Sequence, residues 1–433
     1  MHLKRSLPAA LKYQAVRVEE AARRAGLDGY EVEFELLPPD ALNAVAAYGG
    51  FPVRYPSWRF GMEYERLEKG HRWGLSRIYE LVVNNDPAYA YLVSSNSLLE
   101  QKLVMAHVFG HADFFKHNLW FAPTDRKMLD TLASDATKVR RAIDRVGQER
   151  VETFVDRVLS VETLIDPYLP LREWRAGAAA GAGTAGTSEL PTYDVLGFLL
   201  ERAPLEAFER EVLGCLRREA YYFAPQRMTK IANEGWASYW HSRLLTGGLL
   251  EAEEIVDFAD CHSSATACAP GRLNPYKLGL ECWRSAERRG LDLFALRRAH
   301  NDVTLLDTLI DEEFLERELA SCGGARLLPE QEGPPDYAAA KAKLLQELSW
   351  GGLPQIGLVA VDEAGERELQ LVHRHDGRDL QLAQARETLK ALAALWGGPV
   401  HLLTIENGQG RRLVASADEV RTLETREALQ RCA

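Results

Sequence analysis

The sequence predicts a mainly α protein: a large helical domain followed by a small α+β module of β-β-α-β-β order. Three observations carry this expectation. Apolar residues recur every three to four positions in long stretches between Ser97 and Ala320, the spacing of amphipathic helices. After the Gly-, Pro- and charge-rich segment Gly323–Pro335 the apolar period falls to two, the spacing of half-buried strands. Hydrophobic residues make up 46% of the 433 residues, enough to fill a large core.

Taken in order, the chain opens with a helix whose apolar positions are Leu11, Val16 and Ala21. A short alternating stretch follows from Tyr30 to Leu36 and stops at Pro38-Pro39. The segment Tyr48–Leu67 has too many Gly and Pro for a long helix and too many aromatics for a solvated linker, so it is expected to wrap over the core. Residues 78–93 read as two extended segments joined at Asn84-Asn85-Asp86-Pro87, whose side chains suit a turn. Helices are expected at Ser97–His117, Met128–Val158, Leu196–Tyr222, Thr229–Leu245 and Leu291–Ala320. Residues 176–188, made only of Ala, Gly, Thr and Ser, bury too little to offset the entropy of ordering and read as a flexible insert. Residues 1–325 then form the helical domain, 326–352 a linker and 353–433 the small module. Its strands, 355–362, 367–375, Val400–Ile405 and Arg411–Ala415, surround a helix over Leu382–Trp396.

Charge and composition narrow the class. Lys and Arg number 52 against 63 Asp and Glu, a formal net charge of −11, which disfavours nucleic acid or an anionic membrane as the default partner. Six cysteines without a C-x-x-C pair fit a reducing compartment. The N-terminal segment lacks an apolar signal core, and no run approaches the roughly 18 apolar residues of a membrane span. A cytoplasmic protein is expected.

The segment LLEQKLVMAHVFGHADFFKHN carries the strongest chemical signal. His107 and His111 stand at i and i+4, so on a helix their imidazoles lie one above the other and can chelate one ion. The ordinary alternative is a pair of core histidines with satisfied hydrogen bonds. A third ligand is offered by Glu234 in MTKIANEGWASYWH, a carboxylate in the middle of an aromatic, apolar helix where it needs a partner. Its competing partners on the same stripe are Arg227 and His241. Two histidines from one helix and a glutamate from a later one form a recognised zinc set, so zinc is the expected cofactor. The small-residue and Pro/Gly-rich loop after His262 suits a cover over the site. His262 itself is expected either as a fourth ligand that closes a structural site or as a donor to a developing oxyanion; His117 and His241 compete for these roles, and Tyr239 for the donor's. His373 and His375 share one face of a strand and form a weaker metal candidate. Arg54, Tyr55, Trp58 and Arg59 form a candidate stacking platform for a glycan or nucleotide.

The His pair resembles the zincin helix H-E-x-x-H, and Asn233-Glu234-Gly235-Trp236-Ala237 resembles the segment that supplies the glutamate ligand in gluzincin peptidases. In zincins the residue after the first His is the glutamate that activates water, whereas here it is Val108, which accepts no proton. Glu100, one heptad before His107, is the first candidate for that base.

Taken together, FPVRYPSWRFGMEYERL, IYELVVNNDPAYAYLV, MAHVFGHADFFKHN, YYFAPQRMTKIANEGWASYWHSRL, LNPYKLGLECW, LQLVHRH and LWGGPVHL resemble, in order, the stage V sporulation protein R (SpoVR) family. The resemblance implies a role in spore cortex formation during sporulation, or in stress response where no spores form. It also implies partnership with a PrkA-type serine kinase and a von Willebrand A-like protein. Joined to the metal constellation, it gives two expectations: a zinc-dependent hydrolase of peptide or amide bonds, with a peptide or peptidoglycan-related substrate, or a non-catalytic, metal-braced scaffold in the kinase pathway.

Overall fold

The patterned segments fold in a computed structural model that describes residues 7–72, 81–180, 190–267, 273–322, 336–362, 365 and 367–432. In chain order the elements are α1 (Ala9–Arg24), β1 (Val32–Leu37), α2 (Pro39–Ala47), α3 (Trp58–Arg72), β2 (Leu81–Val83), β3 (Ala88–Val93), α4 (Leu98–His117), α5 (Met128–Val146), α6 (Gln148–Val161), α7 (Leu169–Ala180), α8 (Val195–Arg202), α9 (Ala207–Met228), α10 (Lys230–Leu244), α11 (Ile255–Ala265), α12 (Pro275–Arg288), α13 (Leu293–Ala299), α14 (Asp302–Leu309), α15 (Glu312–Cys322), α16 (Tyr337–Leu348), β4 (Gln355–Val361), β5 (Leu369–Arg374), α17 (Leu382–Trp396), β6 (Val400–Glu406), β7 (Gln409–Ala415), β8 (Val420–Glu424) and α18 (Arg426–Arg431). The protein is mainly α, with a small α+β C-terminal part.

Contacts divide the chain into two compact units. One holds residues 1–54, 58–132 and 226–348, the other 55–57, 133–225 and 349–433. This grouping cuts across the linear division into 1–325, 326–352 and 353–433, because the helices within 133–225 belong to the same unit as the C-terminal strands.

The first unit is built around α4. Its sequence is apolar on nearly every side, and it is buried almost throughout from Leu99 to Phe115, as expected of a helix enclosed by its neighbours. Ser97 and Glu100 start it with a reciprocal capping box. The parallel β1–β3 pair and the antiparallel β2–β3 pair form a three-stranded sheet of order β1-β3-β2, and α1, α10 and α11 all pack on α4. In the second unit the strands order as β4-β5-β6-β7-β8, antiparallel except for β5–β6. That parallel pair needs a crossover, and α17 supplies it. The buried Trp396 of α17 meets Phe198 of α8 with ring centroids 5.7 Å apart.

Several expectations change for local reasons. On α1 the inward stripe is Leu11, Val18 and Ala22, while Val16 is 53% exposed. Within Tyr48–Leu67, where Gly and Pro argued against a long helix, the 15-residue α3 runs from Trp58, past Pro56. The helix expected over Met128–Val158 breaks at Gly147, whose φ of +90° suits glycine. Leu196–Tyr222 splits at Pro204, and Leu291–Ala320 splits into α13, α14 and α15, where Asn301 caps α14 with its side chain. Alanine carries α7 through residues 176–180 of the expected insert; residues 181–188 lie outside the described residues. Likewise 326–335 of the expected linker lies outside them, while its later part forms α16 with Ala340 and Leu344 buried. The small module also gains β8 and α18.

Candidate metal centre

α4 and α10 carry the constellation, and small residues let them meet. A Cβ added to Gly110 would stand 2.7 Å from the Ala237 Cα, and one added to Gly235 would stand 2.3 Å from the Gly279 carbonyl carbon on α12. Both gaps are far inside van der Waals contact. Only glycine at these positions allows α4, α10 and α12 to pack this closely.

His107 and His111, one turn apart on α4, are both buried, with ring centroids 4.6 Å apart. Facing them, Glu234 Oε2 lies 3.4 Å from His107 Nε2 and 3.5 Å from His111 Nε2. That oxygen is buried and accepts no hydrogen bond. The three ligand atoms all lie within 4.8 Å of one another. Two donors held about 2.05 Å from a tetrahedral zinc stand roughly 3.3 Å apart, close to the spacing Glu234 Oε2 keeps from each Nε2. Burial alone would raise the Glu234 carboxyl, but the two imidazoles overcome it and hold the group below its ordinary range.

Each imidazole is anchored behind its Nε2. His111 Nδ1 donates to Asn233 Oδ1 at 2.9 Å. His107 Nδ1 meets His241 Nδ1 at 2.8 Å, and His241 Nε2 meets His262 Nδ1 at 2.9 Å. Burial, with the neighbouring imidazoles, keeps His241 well below its ordinary pKa. Burial, with Arg284 and Lys277, pushes His262 down to about 4. α10 thus supplies the carboxylate and the partners of both histidines.

The frame behind α10 is equally specific. Asp302 at the start of α14 accepts from the Ile231 and Ala232 amides at 3.0 and 2.8 Å, and Trp283 Nε1 donates to the Ala232 carbonyl at 2.9 Å. Burial pushes the Asp302 carboxyl up to about 7 against these bonds. On α4, Asp113 accepts from Trp236 Nε1 at 2.9 Å and from Arg297 Nη1 at 2.6 Å, tying α4 to α10 and α13.

Of the sequence-derived candidates, the structure brings together His107, His111 and Glu234. It does not bring Glu100 to them. Glu100 stands seven residues, about 10 Å, along α4 from His107, and its Oε2 accepts from the Ser97 amide at 2.7 Å. Val108 is fully buried. His262 is third in a line of imidazoles and stands outside the ligand group. His241 spends both ring nitrogens on His107 and His262, so it is not the partner of Glu234. His117 Nε2 bonds the Asp28 carbonyl at 2.9 Å, and the Tyr239 hydroxyl accepts from Arg243 at 2.8 Å, so neither joins the cluster. Arg54 and Tyr55 are buried packing residues, which leaves no four-residue stacking platform; Trp58 is 51% exposed. Sequence reasoning missed Asn233, although an amide beside a buried carboxylate in an apolar helix was the signal for it.

Comparison with known families matches residues 6–182 and 174–305 to the SpoVR like protein family and residues 354–407 to the SpoVR-like C-terminal domain. The chain is 26% identical over 471 residues to YcgB of Escherichia coli (strain K12), described as an uncharacterized protein; the match covers 89% of this chain and 90% of that protein. No solved structure matches. No described helix is long and apolar enough to cross a membrane.

Proposed function

This chain belongs to the SpoVR-like family, and from that premise we propose that it binds zinc through His107, His111 and Glu234 as a three-ligand centre acting on a peptide or amide bond. The observation that carries the reading is Glu234 Oε2, buried without a hydrogen bond and facing two imidazole Nε2 atoms at 3.4 and 3.5 Å. An anionic oxygen so placed needs a cation. Bound there, zinc would supply polarisation of a carbonyl and lower the pKa of water toward ~7. The chain's own residues orient the donors: Asn233 holds the His111 ring, His241 holds the His107 ring, and the Gly110 and Gly235 contacts keep the helices at ligand distance.

One observation favours a second reading, a scaffold whose metal braces α4 against α10. Val108 stands where zincins carry their base, and Glu100 is committed to its capping box. For that reading we propose a PrkA-type serine kinase and a von Willebrand A-like protein as partners in sporulation or stress response; its support is the family resemblance. Anomalous diffraction at the zinc edge distinguishes the readings. Three protein donors with a solvent ligand support the hydrolase, four protein donors support the scaffold, and the absence of any peak at Glu234 removes both.

A further inference from the structure

We propose that His241 and His262 form an outward-running hydrogen-bond relay that fixes His107 as an Nε2 ligand, with His262 as its distal positioning residue. The consequence for metal binding rests on the zinc reading above; the relay itself rests on the three imidazoles. Both contacts, 2.8 Å between His107 Nδ1 and His241 Nδ1 and 2.9 Å between His241 Nε2 and His262 Nδ1, join two ring nitrogens. In each, one nitrogen carries the hydrogen and the other the lone pair. A neutral imidazole has one N–H, so the direction chosen at one contact dictates the other.

Only two ordered states exist. In the outward state His107 Nδ1 donates to His241, His241 Nε2 donates to His262, and His262 keeps its hydrogen on Nε2. His107 then turns a lone pair at Nε2 toward Glu234. In the inward state the order reverses and His107 Nε2 carries a hydrogen aimed at Glu234 Oε2. A cation between His107 Nε2 and Glu234 Oε2, 3.4 Å apart, selects the outward state, because a nitrogen that binds a metal carries no hydrogen. His111 has the matching arrangement, with Nδ1 donating to the Asn233 oxygen, so both ligand rings present the same face.

The distal end is held in place. Phe258 stacks on His262 with centroids 5.6 Å apart and planes 20° from parallel. Asn274 Nδ2 donates to the Ala265 and Ala267 carbonyls at the end of α11, while its Oδ1 caps α12. A half-buried histidine that touches no ligand atom therefore decides which nitrogen His107 presents.

The test uses the full chain, labelled with ¹⁵N-histidine, and its His262→Ala and His262→Gln variants. With zinc bound, His107 is expected to carry its hydrogen on Nδ1 and His262 on Nε2; with or without metal, His107 and His262 tautomers that do not match one ordered state overturn the relay. By chelator competition, His262→Ala should weaken zinc about tenfold, and His262→Gln, whose amide oxygen can accept from His241, should recover most of that loss. Unchanged zinc affinity and an unchanged His107 tautomer in His262→Ala would overturn the proposal. If wild type takes no zinc, the functional reading fails while the matching of the metal-free His107 and His262 tautomers still decides the relay.

Discussion

Two histidine pairs are close both in sequence and in space, and their environments differ in a way that defines a site. On β5 and just beyond it, His373 and His375 have ring centroids 5.7 Å apart, little further than the 4.6 Å of His107 and His111. Yet His373 Nδ1 bonds Thr404 Oγ1 at 2.9 Å, and His375 Nε2 bonds Asp379 at 2.8 Å while its Nδ1 accepts from the Gly377 amide. The carboxylate beside this pair is already engaged, since Asp379 also accepts from the Asn407 amide. Beside the α4 pair, the oxygen of Glu234 on α10 that faces both rings has no such bond. Proximity of two imidazoles is therefore not the signal. The signal is a third donor, buried and anionic, with no protein hydrogen to accept.

The comparison breaks most sharply on metal content. His107→Ala and Glu234→Ala should each lower zinc affinity by at least about 100-fold, as loss of one of three ligands implies, while His373→Gln leaves it unchanged; chelator competition reads both. Next, Gly110→Ala pushes a methyl group against the Ala237 backbone. It should destabilise the fold by about 1–3 kcal/mol in denaturant unfolding and weaken zinc as the helices part.

The second pair should instead appear in acid stability. Burial, with His375, pushes His373 down to about 4, below the ordinary value near 6.5. Between those values the unfolded chain binds a proton that the folded chain refuses, so stability falls as pH drops from about 6.5 to 4. His373→Gln should lose up to about 1.4 kcal/mol per pH unit less than wild type over that window, measured by unfolding at a series of pH values. The smallest effect belongs to Glu100. Glu100→Ala should cost about 1 kcal/mol of stability by removing half of a capping box, with zinc affinity unchanged.

Much of the first site was legible because it is written in helical spacing. His107 and His111 announce themselves at i and i+4, and Glu234 stands out as a charge in an apolar helix. What spacing within one helix does not show is which residue of another helix lies opposite. His241 was placed beside Glu234 on its own stripe, but the crossing of α4 and α10 turns it to His107 and extends the line to His262. Gly110, Gly235 and Gly279 set that crossing, and their partners become visible only when the chain is folded. The fold shows the same limit. Long helices were readable from their period, but their breaks at Gly147, Pro204 and Asn301 depend on single residues. β8 was missed because Val420–Glu424 is a charged, largely exposed edge strand without the apolar alternation of a half-buried one.

The central claim is that Glu234 completes a metal site with His107 and His111. Its most direct measurement is the metal content of wild type purified without chelators, beside Glu234→Ala prepared identically. The account predicts about one zinc per wild-type chain and none held by the variant at equal free zinc. Wild type without stoichiometric metal, or a variant that retains it, would contradict the account.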